Sequence, residues 1–193
     1  PGSGAAGFGA KVLKDGSVFF NSYGCALYHL TEIESDAPQL NVVHTISTAP
    51  AEVEGNIRGA CGVPLLVDDY WIQTVGQEGL VLVFDISDPT APREVERLET
   101  PPYFYPHWLS LDPEGDRIVV GSEMGFEEGF FILHFNEETG ALSFDTRFNG
   151  RRGTGWRSWI WPTTEGYISL DKEDWPHGST GRAWGHAAVF VGG

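Results

Sequence analysis

The stretch GLVLVFDISDPTAPREVERLE, residues 79–99, decides the fold class. It begins with a short apolar run, continues through the turn-forming link SDPTAP at 87–92, and ends in a mostly charged segment. A run this short, bounded by Asp and Pro, indicates a β-strand rather than a helix. The stretch therefore predicts two adjacent strands, the first of which is the more deeply buried.

Two other parts of the chain resemble the start of this stretch. GCALYHL begins at Gly24 and GFFILHF at Gly129, so the three starts are separated by 55 and 50 residues. A period of this size, with several strands in each unit, is typical of β-propeller blades and of repeated sheets.

Each unit contains further strands around the shared run. A hairpin precedes each run, with turns at Asp15-Gly16, at Asp68-Asp69 and at 112–115, where Asp, Gly and Pro supply the backbone angles. A fourth strand follows: LNVVHTIS, REVERLE or ALSFDTRF. With no segment of helical period, the sequence predicts an all-β fold, a β-propeller of four-stranded antiparallel blades.

The units extend roughly over 7–48, 61–99 and 106–148, and closing strands are expected within 158–191. This amounts to about three and a half blades, so we expect residues 1–193 to be part of a single β-propeller domain. Other sequence would supply the missing blades, because stacked blades need closure to protect their edges. A self-contained small β-domain is the alternative.

Charge and composition exclude some partners. The net charge is −15, from 12 basic and 27 acidic residues, which argues against nucleic acid and anionic membranes. The apolar runs are too short to cross a bilayer, and no signal peptide is recognisable, so the compartment stays open. Cys25 and Cys61 form no known framework and are expected to be buried thiols, although a disulfide is left open.

Aligning the first strands by their hairpins places Gly9, Val63 and His107 at one repeat position, and His186 falls there in the tail. First strands of propeller blades line the central channel, so we expect these two imidazoles to approach one metal ion. His177, after Asp-Trp-Pro, is a third candidate ligand. Imidazole suits copper, zinc and iron. The alternative is that these histidines only form hydrogen bonds within the channel.

Several aromatic residues suggest an apolar substrate pocket beside this metal. Its candidate residues are Trp108, Trp175, Trp184 and Arg182. The alternative is that the tryptophans fill the centre of the propeller or the space between blades. Three further histidines are expected in the core, at an edge or at the rim, without chemistry: His29, His134 and His44.

Five segments together resemble the C-terminal half of the selenium-binding protein family, which includes the bacterial methanethiol oxidases. They are YGCALYHL, VLVFDISDPTAPREVERL, LSLDPEGDRIVVGS, GFFILHFNEETGALSFDTRF and GRAWGHAAVFVGG. The last segment has a histidine, an aromatic residue four positions later and a double glycine, as the family's C-terminus does.

This resemblance implies a seven-bladed propeller and copper-dependent oxidation of a small thiol such as methanethiol. The products would be formaldehyde, hydrogen sulfide and hydrogen peroxide. It implies copper as the cofactor, a small sulfur-containing substrate and a ligand role for His186. Ala187 stands where the family has Glu, so the chain departs from the family pattern beside that ligand.

Two other functions remain open. The first is a non-catalytic propeller that serves as a binding or scaffolding module for a protein partner, since propellers carry many unrelated functions. The second is a lactonase-like hydrolase with calcium at the channel mouth. It is ranked last because calcium favours carboxylate and amide oxygens, whereas the aligned strand starts carry His, Gly and Val.

Overall fold

The computed structural model is built almost entirely from β-strands. It describes residues 7–46, 61–101, 104–113, 115–122, 129–150, 164–172, 174–176, 178–183, 185 and 187–190. Within these ranges the one helical element is a short 3-10 turn at Gly76–Glu78. No helix in the described ranges has the length and apolarity to span a bilayer.

The first two repeats each form a four-stranded sheet in which consecutive strands are antiparallel neighbours. Sheet 1 contains β1 (Gly7–Val12), β2 (Val18–Ser22), β3 (Ala26–Thr31) and β4 (Gln39–Thr45). Sheet 2 contains β5 (Leu65–Val67), β6 (Tyr70–Val75), β7 (Leu80–Asp85) and β8 (Arg93–Glu99).

Sheet 3 begins in the same way and then gains extra strands. It contains β9 (Pro106–Leu111), β10 (Arg117–Ser122), β11 (Gly129–Asn136), β12 (Ala141–Phe144), β13 (Asn149–Gly150), β14 (Thr164–Glu165) and β15 (Tyr167–Ser169). β12 pairs with the second half of β11 and β15 with its first half. The chain thus leaves this edge after β12, and a later segment returns to complete it. A separate pair joins β16 (Asp171–Lys172) to β17 (Gly181–Arg182).

The sheets stack face to face, and each junction has its own apolar core. Between sheets 1 and 2, the Phe19 ring meets the Trp71 indole at 5.0 Å, and the His44 ring lies 5.1 Å from Phe84. The core between sheets 2 and 3 is formed mainly by Val67, Ile72, Val81, Val83, Leu109, Ile118, Val120, Phe131 and Leu133.

This stacking explains the quoted apolar run. β7 lies in the middle sheet, so its side chains enter both cores and Leu80–Phe84 are all buried. A strand covered on both faces requires apolar residues at every position, whereas a half-exposed strand alternates. The predicted all-β class and the four-stranded antiparallel sheets are confirmed. Closure into a propeller and the number of blades stay predictions.

Cys25 and Cys61 form a disulfide, so the expectation of two buried thiols is wrong. Cys25 lies in the turn between β2 and β3, where a φ of 66° directs it toward sheet 2. Cys61 opens the first-strand segment of sheet 2, and the two Cα atoms are 5.2 Å apart. The spacing of 36 residues gave no sign of this pairing, because it results from one sheet stacking on the next.

Candidate functional site

The first strands of neighbouring sheets begin side by side at one end of the stack, which we call the strand-start end. Val63 forms a parallel bridge with Trp108, and the Val63 N–H donates to the His107 carbonyl at 2.9 Å. The Thr74 hydroxyl donates to the same carbonyl at 3.0 Å. Sheets 2 and 3 are therefore joined by direct hydrogen bonds at this end.

Sheets 1 and 2 are joined here in the same way. The Asn21 side-chain amide lies 3.3 Å from the carbonyl oxygens of both Cys61 and Gly62. Within sheet 2, the Gln73 amide donates to the same Gly62 carbonyl at 2.9 Å and so fixes the segment that Asn21 contacts. Both side chains are fully buried, so these bonds satisfy groups that would otherwise be costly to bury. The polar residues that end the second strands thus hold the sheets together.

Gly62 allows the close approach of sheets 2 and 3. A Cβ atom at this position would lie 2.0 Å from the His107 carbonyl oxygen and 2.4 Å from Thr74 Oγ1. Only glycine lets two backbones come this near, which accounts for the residue without reference to a ligand.

His107, the first predicted metal ligand, lies in β9 at the strand-start end and is 4% exposed. Its ring meets the Phe8 ring edge-on at 5.7 Å, and Phe8 meets Tyr23 edge-on at the same distance. Phe8 is 43% exposed. The imidazole therefore lies beneath a partly exposed aromatic pair.

The other two predicted ligands, His177 and His186, lie outside the described residues, as does Trp184 of the predicted pocket. The convergence of these histidines on a metal stays a prediction. No group of three or more His, Cys, Asp or Glu side chains suited to a metal ion occurs in the part of the chain that the structure describes.

The remaining pocket residues are placed only in part. Trp108 is half-buried in β9. The Trp175 indole N–H donates to the Gly181 carbonyl at 2.8 Å and so closes the turn between β16 and β17. Arg182 is described only as a backbone position in β17. The pocket that these residues were predicted to form therefore stays a prediction.

The three histidines that were given no chemistry have structural partners. His29 is buried, with Nε2 2.8 Å from the Ser17 hydroxyl. His44 packs on Phe84 in the core between sheets 1 and 2. His134 Nδ1 lies 3.0 Å from a carboxylate oxygen of Asp116.

One charged cluster had no counterpart in the sequence analysis. Asp145 is 1% exposed and lies where the chain leaves sheet 3 after β12. Its carboxylate accepts from the Arg147 guanidinium at 2.6 Å, with Arg117 and His134 nitrogens at 3.4 Å. The pKa of Asp145 is lowered to about 2, mainly because Arg147 donates hydrogen bonds to the carboxylate. Burial acts in the opposite direction and would by itself raise this pKa. The cluster anchors the departing chain.

The opposite end of the stack, formed by the hairpin turns, has an open cavity of about 370 Å³ between sheets 1 and 2. Leu13, Leu66 and Ile86 lie among its apolar lining residues. At its mouth the Lys14 ammonium is 3.0 Å from Asp69 and 3.6 Å from Asp68. These side chains are exposed, and such surface pairs contribute little to stability.

Comparison with known proteins identifies the fold class and no family. No protein-family model matches the chain, and no curated protein sequence matches it either. Solved structures do match it, and three of them are described as lactonases.

Three of these structures cover similar shares of this chain. A protein assigned as a 6-phosphogluconolactonase from Bacteroides uniformis matches 75% of this chain and 43% of its own, at 12% identity and a TM-score of 0.57. The periplasmic gluconolactonase PpgL of Pseudomonas aeruginosa matches 74% of this chain and 39% of its own, at 13% identity and a TM-score of 0.58. A protein assigned as a 6-phosphogluconolactonase from Bacteroides fragilis matches 73% of this chain and 38% of its own, at 14% identity and a TM-score of 0.55. The chain spans about two fifths of the length of each, and identities this low establish the fold alone.

These findings overturn the resemblance to the selenium-binding protein family and the copper-dependent oxidation of a thiol, both of which are wrong. Apart from the C-terminal one, the segments that carried the resemblance consist, as far as the structure describes them, mainly of strands and of the turns between them. Asp, Pro and Gly recur in such turns for conformational reasons in unrelated sheet proteins. The alternative of a non-catalytic binding module gains no better support from the comparisons.

Proposed function

We propose that the three sheets are successive blades of a β-propeller and that this propeller hydrolyses a sugar-derived lactone. The observation that carries the proposal is the shared likeness to lactonase structures over about three quarters of the chain. The face-to-face sheets and the parallel bridge between first strands support the propeller arrangement.

Lactone hydrolysis needs a group that removes a proton from the attacking water. Water adds to the lactone carbonyl, the ring C–O bond breaks, and the product is a hydroxy acid that releases a proton at neutral pH. His107 is the candidate base, because imidazole is the side chain that most often accepts a proton in general-base catalysis and His107 lies at the strand-start end. The partly exposed Phe8 beside it offers an apolar surface for a sugar ring.

Charge favours a neutral lactone over a phosphorylated one. The net charge of −15 repels an anionic substrate. Five of the described cations already pair with carboxylates of the protein: Lys14, Arg93, Arg97, Arg117 and Arg147. A phosphate group would have to compete with these carboxylates.

The test is lactone hydrolysis by the protein expressed from its whole reading frame, followed by pH-stat and corrected for spontaneous opening. We expect glucono-1,5-lactone to be opened faster than its 6-phosphate. His107→Asn should lower the rate about 100-fold, as expected for loss of a general base. His44→Asn, a substitution in the core between sheets, is the matched control and should keep the rate. Hydrolysis no faster than the spontaneous reaction with either lactone would contradict the proposal.

We also infer that the protein matures in an oxidising compartment. The buried Cys25–Cys61 disulfide supports this, since such bonds persist outside the reducing cytosol.

A further inference from the structure

One face of sheet 1 is an apolar surface that no described element covers; we call it the outer face. The strand register places two rows of residues on it, since directly paired residues of adjacent strands share a face. The rows are Ala10–Phe20–Tyr28–Val42 and Val12–Val18–Leu30–Leu40. All eight side chains are aliphatic or aromatic. From this face we infer that sheet 1 docks a further four-stranded antiparallel sheet of the same kind.

The opposite face of sheet 1 is already used. Phe19 and His44 point into the core shared with sheet 2. On the outer face, by contrast, Val42 is 60% and Leu40 57% exposed, and Val12, at the end of β1 that also borders the cavity between sheets 1 and 2, is 68% exposed. These exposed valine and leucine side chains form one contiguous apolar patch. Single exposed apolar residues are common on protein surfaces but such patches are not, so the patch indicates a missing partner.

The repeat shows which kind of partner fits. Asn21 in β2 and Thr74 in β6 each donate to backbone carbonyls of the following sheet, so the two residues occupy equivalent positions. Three residues earlier lie Val18 and Trp71. Trp71 faces backward into the core with sheet 1, so Val18 and its row occupy the equivalent backward-facing surface of sheet 1. In sheet 2 that surface is covered by a four-stranded sheet.

The other end of the stack is covered. A Cβ atom at Gly185 would lie 2.1 Å from the Phe130 ring, on the side of sheet 3 away from sheet 2. The Ser110 hydroxyl on the same side donates to the Ala188 carbonyl. The described part of the tail thus lies over the last sheet, whereas none of the residues that the structure describes lies over the outer face of the first sheet.

The hydrogen bonds between sheets set the orientation of the docked sheet. Each observed junction has a buried Asn or Thr at the end of a second strand that donates to the carbonyl of the residue opening the next sheet. By register the equivalent carbonyl in sheet 1 is that of Phe8, one residue before Gly9, the partner of Asn21. The alignment from sequence, which placed Gly9 and Val63 at the position of His107, is therefore wrong by one residue, because His107 occupies the bulge that Phe8 occupies in sheet 1. We expect the docked sheet to supply an Asn, Thr or Ser there. This chain spans about two fifths of each solved lactonase structure, so those proteins are long enough to contain further sheets of this kind.

Thiol labelling tests the inference directly. Both cysteines of the 193-residue chain are in the disulfide, so Val12→Cys gives this chain a single reactive thiol, and in the whole protein the labelling of residue 12 is followed by peptide mass spectrometry. Its maleimide rate is measured in the protein from the whole reading frame and in the 193-residue chain alone. Ile33→Cys, in the β3–β4 connection and 44% exposed, is the control, and Val42→Cys repeats the test on β4.

In the whole protein, we expect the thiols of Val12→Cys and Val42→Cys to react at least about tenfold more slowly than the control thiol, because covered thiols react only after local opening. In the 193-residue chain all three should react alike. Equal rates in the whole protein would overturn the inference. Protection in the 193-residue chain that rises with its concentration would also overturn it, in favour of a second copy. The assay uses no lactone, so its outcome is independent of the proposed activity.

Discussion

At the scale of single residues, the fold changes the chemistry of Asp145 most clearly. The carboxylate is buried, yet the Arg147 guanidinium keeps it ionised and lowers its pKa to about 2. Asp-Thr-Arg at 145–147 reads in the sequence as an ordinary polar turn. Its burial results from contacts with Arg117 and His134, which come from other strands. Local sequence contains no signal for such a distant arrangement.

We predict that Asp145→Asn lowers the free energy of unfolding by about 1–3 kcal/mol at pH 7, because charge-assisted hydrogen bonds are lost. The ordinary pKa of an aspartate is 3.8, so the native carboxylate contributes fully above that pH and loses its contribution as the pH falls toward about 2. Urea titrations at several pH values should therefore show that the free energies of unfolding of Asp145→Asn and of the parent protein become more similar as the pH is lowered from 7 to 2.

The control for this prediction is Asp116→Asn. Asp116 lies in the same cluster but its side chain is 61% exposed, so its replacement should lower the free energy of unfolding much less than Asp145→Asn does. If the difference in free energy of unfolding between Asp145→Asn and the parent stayed constant down to pH 2, the carboxylate would not stabilise the fold through its charge.

At the scale of elements, local sequence indicated the hairpins but not the way sheet 3 ends. Turns at Asp15-Gly16 and Asp68-Asp69 lie between the first and second strands as expected. The segment ALSFDTRF was expected to be one fourth strand, yet β12 ends at Phe144. β15, which comes later in the chain, fills the rest of that edge. Pairing between strands far apart in the sequence, such as β11 and β15, depends on which segment reaches the open edge of the sheet. The hydrophobic periodicity of the sequence does not indicate which segment that is.

The disulfide between the β2–β3 turn and the start of sheet 2 provides the prediction at this scale. Cross-linking residues 36 apart restricts the unfolded chain, so reduction should lower the free energy of unfolding by about 3–4 kcal/mol. Guanidinium titrations with and without dithiothreitol measure this change. The double variant Cys25→Ala/Cys61→Ala should be destabilised by a similar amount and should not respond to the reductant. An identical midpoint for the oxidised and reduced parent protein would refute the prediction.

At the scale of the whole molecule, acidic charge and sheet stacking oppose each other. The chain has 27 acidic against 12 basic residues. The described ion pairs are mostly at the surface, where pairing contributes little. Self-repulsion of this kind destabilises a compact state, while the two apolar cores between the sheets stabilise it.

Salt should therefore stabilise the protein. Raising sodium chloride from about 0.01 M to about 0.3 M shortens the screening length several-fold and should raise Tm by a few degrees. Differential scanning calorimetry at fixed pH measures the shift. Potassium chloride should act equally, because screening depends on ionic strength and not on the cation. A fall in Tm with salt would mean that the ion pairs outweigh the repulsion.

The sequence by itself determined the all-β class, the repeated antiparallel sheets and the near absence of helix. These features depend on short apolar runs and on turn residues, whose effects are local. Only the tertiary structure decided the Cys25–Cys61 disulfide, the burial of Asp145 and the divided edge of sheet 3. It also decided that Asn21 and Thr74 join neighbouring sheets. Each of these contacts joins residues that sheet stacking or long-range strand pairing brings together, and chain spacing alone does not record which segments will meet.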